Sequence, residues 1–408
     1  MLNRIWTFFF IGGFVAAVGR TLTGHSEVWR EMVGACFDMA KTGFEIALGL
    51  TGVMCLWLGI MRIGEKGGAV EFLARAFAPL GRRLFPGIPE GHPAHGSIVM
   101  NMAANMMGLD NAATPLGLKA MGHLQELNPK KDTASNDQIL FLVINASSVT
   151  VVPATIFTYR AQMGAADPTD VFLPILVATF CSTMAGLLSV ALLQGLRLWD
   201  RVVLAYLGGM TALVAGLVAY FANLDQAALE AQSSLLANAL IFGLILSFLL
   251  AGLRRRIDLF DSFIEGGKEG FQVAIGIVPY LVAMLVGIGV FRASGALEWI
   301  LGGIRSLVEM TGSDTRWVEG LPTALMKPLS GSGARGMMIE TMRASGADSF
   351  AGRLASTIQG STETTFYVLA VYFGSVGIRK SRHAVACGLI ADLAGLIGAI
   401  GMAYLFWG

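Results

Sequence analysis

Charge is what this sequence has least of. Asp, Glu, Lys and Arg make up only 14% of its 408 residues, and 29 basic side chains against 28 acidic ones leave a formal charge of +1. Soluble globular chains carry about 25% charged residues, so a water-facing surface wrapped round ordinary cores is excluded. The even balance also lacks the basic face that nucleic acid requires, and nucleic acid is not an expected partner. Cysteine is scarce as well. Cys36, Cys55, Cys181 and Cys387 lie far apart in or beside apolar runs, with no CxxC pair, which excludes a disulfide framework or a zinc module and leaves them as buried small residues. Of the five histidines, His92 and His95 form a close pair in a Pro/Gly-rich loop near Glu90, a spacing that matches no established zinc arrangement. Gly331-Ser-Gly333 is not a nucleophile elbow, and Gly64-Glu-Lys-Gly-Gly68 does not complete a phosphate-binding loop. No enzyme, no cofactor, no metal and no ATP-driven engine are expected.

Apolar residues fill the gap. The hydrophobic fraction is 54%, with 51 glycines and a mean hydropathy of +0.64. The fold class this predicts is an all-α polytopic membrane protein. Runs able to cross ~30 Å of hydrocarbon occur at 5–22, 44–62, 138–160, 171–196, 201–221, 235–253, 271–291, 350–375 and 384–407, about nine spans. Arg4 followed by Ile5–Gly19 has the look of a signal peptide, but it lacks an A-x-A site and Arg20 closes it, so it reads as an uncleaved first helix. Residues 65–86 and 292–310 mix Arg and Glu with Phe, Leu and Ile, the pattern of an interfacial amphipathic helix. Residues 97–121 and 321–343 are Gly/Asn/Ser-rich, with Pro115, Pro322 and Pro328. They are too polar to face lipid and read as re-entrant broken segments, buried in protein or lining a cavity.

An internal repeat organises these elements. Lys41-Thr-Gly-Phe-Glu-Ile-Ala-Leu-Gly49 aligns with Lys268-Glu-Gly-Phe-Gln-Val-Ala-Ile-Gly276, and at the same offset Gly67-Gly-Ala-Val-Glu-Phe-Leu73 aligns with Ser294-Gly-Ala-Leu-Glu-Trp-Ile300. Asn145-Ala-Ser-Ser-Val-Thr150 then aligns with Gln359-Gly-Ser-Thr-Glu-Thr364, and Thr183-Met-Ala-Gly-Leu-Leu188 with Asp392-Leu-Ala-Gly-Leu-Ile397. Four matches in one order point to duplication. The organisation expected is an N-terminal membrane helix (1–33), a first repeat (34–196), a linking helix pair (197–257) and a second repeat (258–408).

Basic residues orient it. Arg197, Arg201, Arg254-Arg-Arg256, Lys268 and Arg379-Lys-Ser-Arg382 mark cytoplasmic loops, whereas the loop around Asp225 and Glu230 has no basic residue and belongs outside. If the broken segments dip in and return, each repeat keeps three full crossings, so the copies are inverted and the N-terminus is cytoplasmic.

Inverted repeats with broken segments near the midplane are the architecture of many secondary transporters. The polar residues that would bind a solute are Asn105, Asp110, Asn111 and Thr114 in the first broken segment and Ser330 and Ser332 in the second. Two Ser/Thr-rich spans add Asn145, Ser147, Ser148 and Thr150, and Gln359, Ser361, Thr362, Glu363 and Thr364. Glu363 stands out, because an ionisable group inside a membrane helix is costly and functional by default. Its repeat counterpart is Val149, so a charge-dependent step would be asymmetric. The plainer alternatives are an ion pair of Glu363 with Lys327 or Arg335, and hydroxyls that merely bond the preceding turn.

These motifs resemble the spore maturation protein A and B families, fused head to tail. Residues 1–195 are similar to the A protein through Gly96-Ser-Ile-Val-Met-Asn-Met-Ala-Ala-Asn-Met-Met-Gly-Leu-Asp-Asn-Ala-Ala-Thr-Pro-Leu-Gly-Leu-Lys119 and Lys131-Asp-Thr-Ala-Ser-Asn136. From about residue 235 onward the chain is similar to the B protein, through Lys327-Pro-Leu-Ser-Gly-Ser-Gly333 and Gln359-Gly-Ser-Thr-Glu-Thr-Thr-Phe-Tyr-Val-Leu-Ala-Val-Tyr-Phe-Gly-Ser-Val-Gly377. The resemblance implies the nucleoside-recognition or gate superfamily, shared with concentrative nucleoside transporters and the membrane part of Feo-type iron transporters. It implies a solute-permeation fold, and it does not carry a nucleoside over as substrate. The chain shows no cytosolic GTPase domain of the iron-transporter kind.

The function expected is a permease of a small polar solute in the bacterial inner membrane, with its site between the two inverted repeats. Its partners would be the solute, the lipid bilayer, a coupling ion (Na+ or H+) and further copies in a homo-oligomer. The alternative is a non-transporting membrane scaffold acting in envelope, cell-wall or spore maturation.

Overall fold

The computed structural model describes residues 2–108, 110–147, 150, 151 and 153–408, with side chains for all of these except 2–5 and 110–112. Among the described residues the regular elements are helices, and no strand occurs. The N-terminal helix α1 (Leu2–Leu22) precedes the first copy, which runs α2 (Val28–Gly67), α3 (Ala69–Leu84), α4 (Pro93–Met106), α5 (Asp110–Leu127), α6 (Asn136–Ser147), α7 (Ala154–Gln162) and α8 (Phe172–Gln194). Two linking helices follow, α9 (Arg201–Ala222) and α10 (Gln226–Arg254). The second copy runs α11 (Leu259–Gly276), α12 (Val278–Ala293), α13 (Ala296–Glu309), α14 (Leu321–Met326), α15 (Gly331–Ser345), α16 (Phe350–Ser361), α17 (Thr365–Ser375) and α18 (Ala384–Trp407).

Side chains set several of these boundaries. Asp200 caps α9 by accepting the Val202 N–H at 2.9 Å, and Asp225 caps α10 by accepting the Ala228 N–H at 2.8 Å. α8 stops at Gly195, whose φ of 66° is open to glycine at little cost. The amphipathic stretches fold as α3 and α13, each entered through a left-handed glycine, Gly68 and Gly295.

Among the described residues six stretches are long and apolar enough to cross a membrane: α2, α8, α9, α10, Leu259–Ala293 and α18, with Trp6–Leu22 a shorter apolar helix. α9 and α10 present Leu213, Leu235, Phe242 and Leu250 exposed. Apolar side chains on that scale without protein cover belong against lipid. The chain is a multi-pass membrane protein.

Two expected spans differ from their forecast. Neither 138–160 nor 350–375 is one helix. The first is divided into α6 and α7, the second into α16 and α17, with residues 362–364 outside any helix. Pro153, just before α7, has no N–H to continue a helical ladder. At the other break the ladder is diverted. The Glu363 N–H, which a continuous helix would send to the Gln359 carbonyl, donates to the Ala146 carbonyl at 2.8 Å. The stretches 97–121 and 321–343, in contrast, are helical hairpins, α4–α5 and α14–α15, with the turn after α4 passing through Gly108 at φ 69°.

The chain divides into two compact units, each assembled from discontinuous segments. One comprises Met1–Trp57, Thr155–Pro168 and Gly267–Gln359. In it α1 packs on α12, with Phe9 and Phe291 ring centroids 5.4 Å apart, and α12 packs on α15. Arg160 is wholly buried there, donating to the Ala347 carbonyl at 2.8 Å and to Asp348 at 3.1 Å. Arg292 joins Glu340 at 2.9 Å and Glu298 at 3.3 Å.

The other unit comprises Leu58–Ala154, Thr169–Gly266 and Gly360–Gly408. Its centre is the pairing of α8 with α18, against which α6 and α17 lie, while α3 covers the α4–α5 hairpin. Between membrane helices close approach depends on small residues, because lipid is as apolar as leucine. A Cβ on Gly398 of α18 would stand 3.2 Å from the Ala178 Cα of α8, and one on Gly186 of α8 would stand 3.2 Å from the Ala391 Cβ of α18. Two loops close one end. The Asp132 carbonyl accepts from the Arg379 N–H at 2.9 Å and the Lys380 N–H at 3.0 Å. The Thr133 hydroxyl and the Lys380 ammonium hold the Asp132 carboxyl below its ordinary range.

Candidate functional site

A buried amide cluster forms where the α4–α5 hairpin meets α6 and α17. Asn101 and Asn105 stand one turn apart on α4, and so share a face. The Asn105 Nδ2 donates to the Asn145 Oδ1 at 2.8 Å and to the Asn101 Oδ1 at 3.4 Å. The Asn101 Nδ2 donates to the Ala113 carbonyl at 2.8 Å. From α17 the Tyr372 hydroxyl donates to the same Asn145 Oδ1 at 3.2 Å, and its ring stacks on Phe141 at 5.7 Å. Asn101, Asn145 and Tyr372 are buried, whereas Asn105 is half-buried. Gly117 makes room for this arrangement, since a Cβ there would collide with the Tyr372 hydroxyl.

Asn105 also borders an apolar cavity of about 80 Å³ lined by Met102, Met106, Met184 and Met210, with Thr183 as its other polar residue. The helix break lies beside it. The Thr183 hydroxyl donates to the Ser147 carbonyl at 3.4 Å, and the Val151 N–H to the Met106 carbonyl at 2.8 Å. Backbone freed at the break is thus paired inside the protein, as hydrocarbon demands.

The first unit holds a corresponding contact of different charge. The buried Lys327, just after α14, donates from its Nζ to the Gln359 carbonyl at 2.8 Å. Ser330 caps α15 by accepting the Gly333 N–H at 3.0 Å and lies 3.2 Å from the Ser332 hydroxyl. Gln359 is the repeat counterpart of Asn145, so each copy joins its hairpin to its broken helix at that position.

The sequence profile described as gate, nucleoside recognition, matches this chain twice, over residues 47–166 and 274–379. The chain belongs to the nucleoside-recognition gate family. The two gate matches take in both hairpins, both breaks and every residue of the two polar contacts, and they leave α9 and α10 outside. The chain is 46% identical over 173 residues to spore maturation protein B of Bacillus subtilis (strain 168), which spans 42% of this chain and 96% of that protein. It is 38% identical over 189 residues to spore maturation protein A of the same organism, 46% of this chain and 93% of that protein.

Within the gate fold, Asn105 and Asn145 are brought into direct contact. Ser330, Ser332 and Gln359 gather near Lys327 and the start of α15. The Ser147 hydroxyl bonds back to the Ile144 carbonyl at 3.2 Å, the plainer role for such a residue. Ser361, Thr362 and Thr364 are buried at the second break, with Glu363 half-buried between them and Thr150 half-buried at the first. Thr114 lies on α5, half-buried. Ser148 is outside the described residues, and Asp110 and Asn111 are described in backbone only, within α5. Among the described residues of its unit, Glu363 has no ion-pair partner.

Sequence reasoning passed over Tyr372, whose place in an apolar run hid it. A buried tyrosine hydroxyl needs a partner, and that need was the available signal. In α18 the buried Asp392 accepts from the Thr365 hydroxyl at 2.7 Å.

Proposed function

We propose that this gate-family protein is a permease for a small polar solute in the bacterial inner membrane, with its N-terminus in the cytoplasm. The observation that carries the reading is the cluster of Asn101, Asn105, Asn145 and Tyr372, which joins residues of both sequence copies beside a helix break and a cavity. Amides that exchange hydrogen bonds with one another can exchange them with a solute at little net cost. Breaks with hydrogen-bonding backbone at membrane depth are where transporter folds bind their solutes. Glu363, inside the second break, supplies the ionisable group for coupling to Na+ or H+. The remaining hydroxyls, Thr114, Thr150, Ser361, Thr362 and Thr364, line the same breaks and hairpins, and no step of the cycle requires the protein to act as an enzyme.

The test is uptake into proteoliposomes by the full chain, with and without a sodium or proton gradient. Glu363→Gln should abolish gradient-driven accumulation while the protein unfolds at its usual temperature. Asn145→Ala should weaken solute binding. Accumulation at the wild-type rate in both variants would remove the cluster and the carboxylate from the mechanism.

The names of the relatives favour one second reading, a membrane scaffold in envelope or spore maturation. It predicts that binding and uptake are absent from a well-folded protein.

A further inference from the structure

We propose that the arginines where the end of α3 meets the start of α9 form a docking site for the headgroup of an anionic phospholipid. Such a site would serve a permease and a scaffold alike, so it stands apart from the transport reading.

Two contacts bring these elements together. The Tyr206 hydroxyl of α9 donates to the Ala76 carbonyl of α3 at 2.6 Å, and the Arg83 Nε stands 3.8 Å from the Asp200 Oδ2. Arg82 neighbours Arg83 in the last turn of α3, while Arg197 and Arg201 flank Asp200 in the chain. All four arginines are exposed. Asp200 is the one carboxylate within residues 79–85 and 195–203, and both its oxygens are engaged. Its Oδ1 accepts the Val202 N–H at 2.9 Å, and its Oδ2 faces Arg83. Among the described residues Arg82, Arg197 and Arg201 have no ion-pair partner.

Local structure accounts for only part of this charge. Arg82 and Arg83 complement the negative end of α3. Arg201, in contrast, is the first residue of α9, the positive end of that helix, where a cation is disfavoured. Arg197 lies outside any helix. An anion on this surface answers both. Each of the four is arginine rather than lysine, and the guanidinium fork pairs with phosphate through two parallel N–H bonds.

The surroundings favour a lipid over a soluble anion. Leu192 and Leu193 at the end of α8 are 85% and 59% exposed, and Leu204 on α9 is exposed as well. Between them stands Trp199, 87% exposed. Bare apolar surface thus gives way to arginine within four residues on either side of a tryptophan, the pattern of a chain that meets the headgroup layer.

Thermal unfolding of the full-length protein in neutral-detergent micelles doped with lipid reads the site. At constant ionic strength phosphatidylglycerol should raise the unfolding temperature saturably, whereas phosphatidylcholine and inorganic phosphate should not. Arg82→Gln, Arg197→Gln and Arg201→Gln leave the Arg83–Asp200 pair and the α9 cap in place. Each should weaken the apparent affinity for phosphatidylglycerol about fivefold. Should Arg201→Gln not fold, Arg201→Lys decides, since it keeps the charge without the fork and should lose part of the affinity. Arg30→Gln, in the other unit, should leave the response unchanged. An equal rise with phosphatidylcholine, a full response in the Arg82→Gln/Arg201→Gln double variant, or an equal loss in Arg30→Gln would overturn the proposal. A rise with inorganic phosphate that matches that of phosphatidylglycerol would overturn it too, and would mark the patch as a site for free anions.

Discussion

Gly68 and Gly295 hold the same left-handed backbone conformation, with φ of 89° and 82°, and each opens an amphipathic helix on its own side of the duplication. The turn has been kept although the residues after it have changed from Phe-Leu to Trp-Ile. A left-handed φ costs an L-residue roughly 1–2 kcal/mol. Gly68→Ala and Gly295→Ala should each lower stability by about that amount, Gly68→Ala by more, because its Cβ also displaces the Arg255 guanidinium. Thermal unfolding in detergent reads the loss, and an unchanged midpoint in either variant would mean that the turn does not govern entry to its helix.

Tyr372→Phe removes the hydrogen bond donated to Asn145 and the longer one accepted from Asn101, and should cost about 1 kcal/mol. Gly117→Ala should cost more, since its Cβ drives the same phenol out of the cluster. Combining the two should cost less than their sum, because the hydroxyl is the nearest atom the Cβ meets and that part of the collision goes with it, while the ring carbon at 2.5 Å stays. Strict additivity in that double-mutant cycle would place Gly117 and Tyr372 out of reach of each other.

The α8–α18 pairing should be intolerant of size. Gly398→Leu on α18 has to separate backbones that a Cβ alone would bring to 3.2 Å, and overpacking of that kind costs about 1–3 kcal/mol. At Gly209 of α9, where a Cβ meets nothing within 4 Å, the same change should be nearly neutral. Equal losses at the two sites would contradict the packing described.

His383, just before α18, gives stability a pH dependence. Burial, with a smaller contribution from the neighbouring Arg382, lowers its pKa from the usual 6.5, so the folded chain prefers the neutral ring. The stabilisation is fully present above about pH 6.5 and is lost as the pH falls through the depressed folded-state value. Unfolding midpoints followed from neutral pH downward should decline in the wild type and decline less in His383→Gln. Parallel curves would assign the acid sensitivity to other groups.

Much of the fold was legible because it follows from apolar run length and from glycine. The runs at 171–196, 201–221 and 384–407 fold as α8, α9 and α18 within a few residues. The breaks inside 138–160 and 350–375 were not legible as breaks, because their cause is tertiary. Nothing local tells the Glu363 N–H to leave Gln359 for Ala146, more than two hundred residues away. For the same reason, spacing suggested Asn105 and Asn145 as solute contacts, but not that they bond to each other, nor that a tyrosine from the other copy shares their acceptor.

The discontinuous make-up of the units bears on how this protein can be synthesised. α17 and α18 follow the second hairpin in sequence, yet they help to form the unit that holds α4, α5, α6 and α8, while α7 lies in the unit built mainly from α12 to α16. A ribosome that has finished the first copy has therefore completed neither unit. The nascent α6 must wait in the bilayer, its Asn145 met by Asn105 of α4 but not yet by Tyr372, until α17 and α18 arrive. Two half-length polypeptides divided in the turn at Asn223–Asp225 should reconstitute when made together in equal amounts. Either one made alone should be degraded, which ties the supply of one half to the supply of the other.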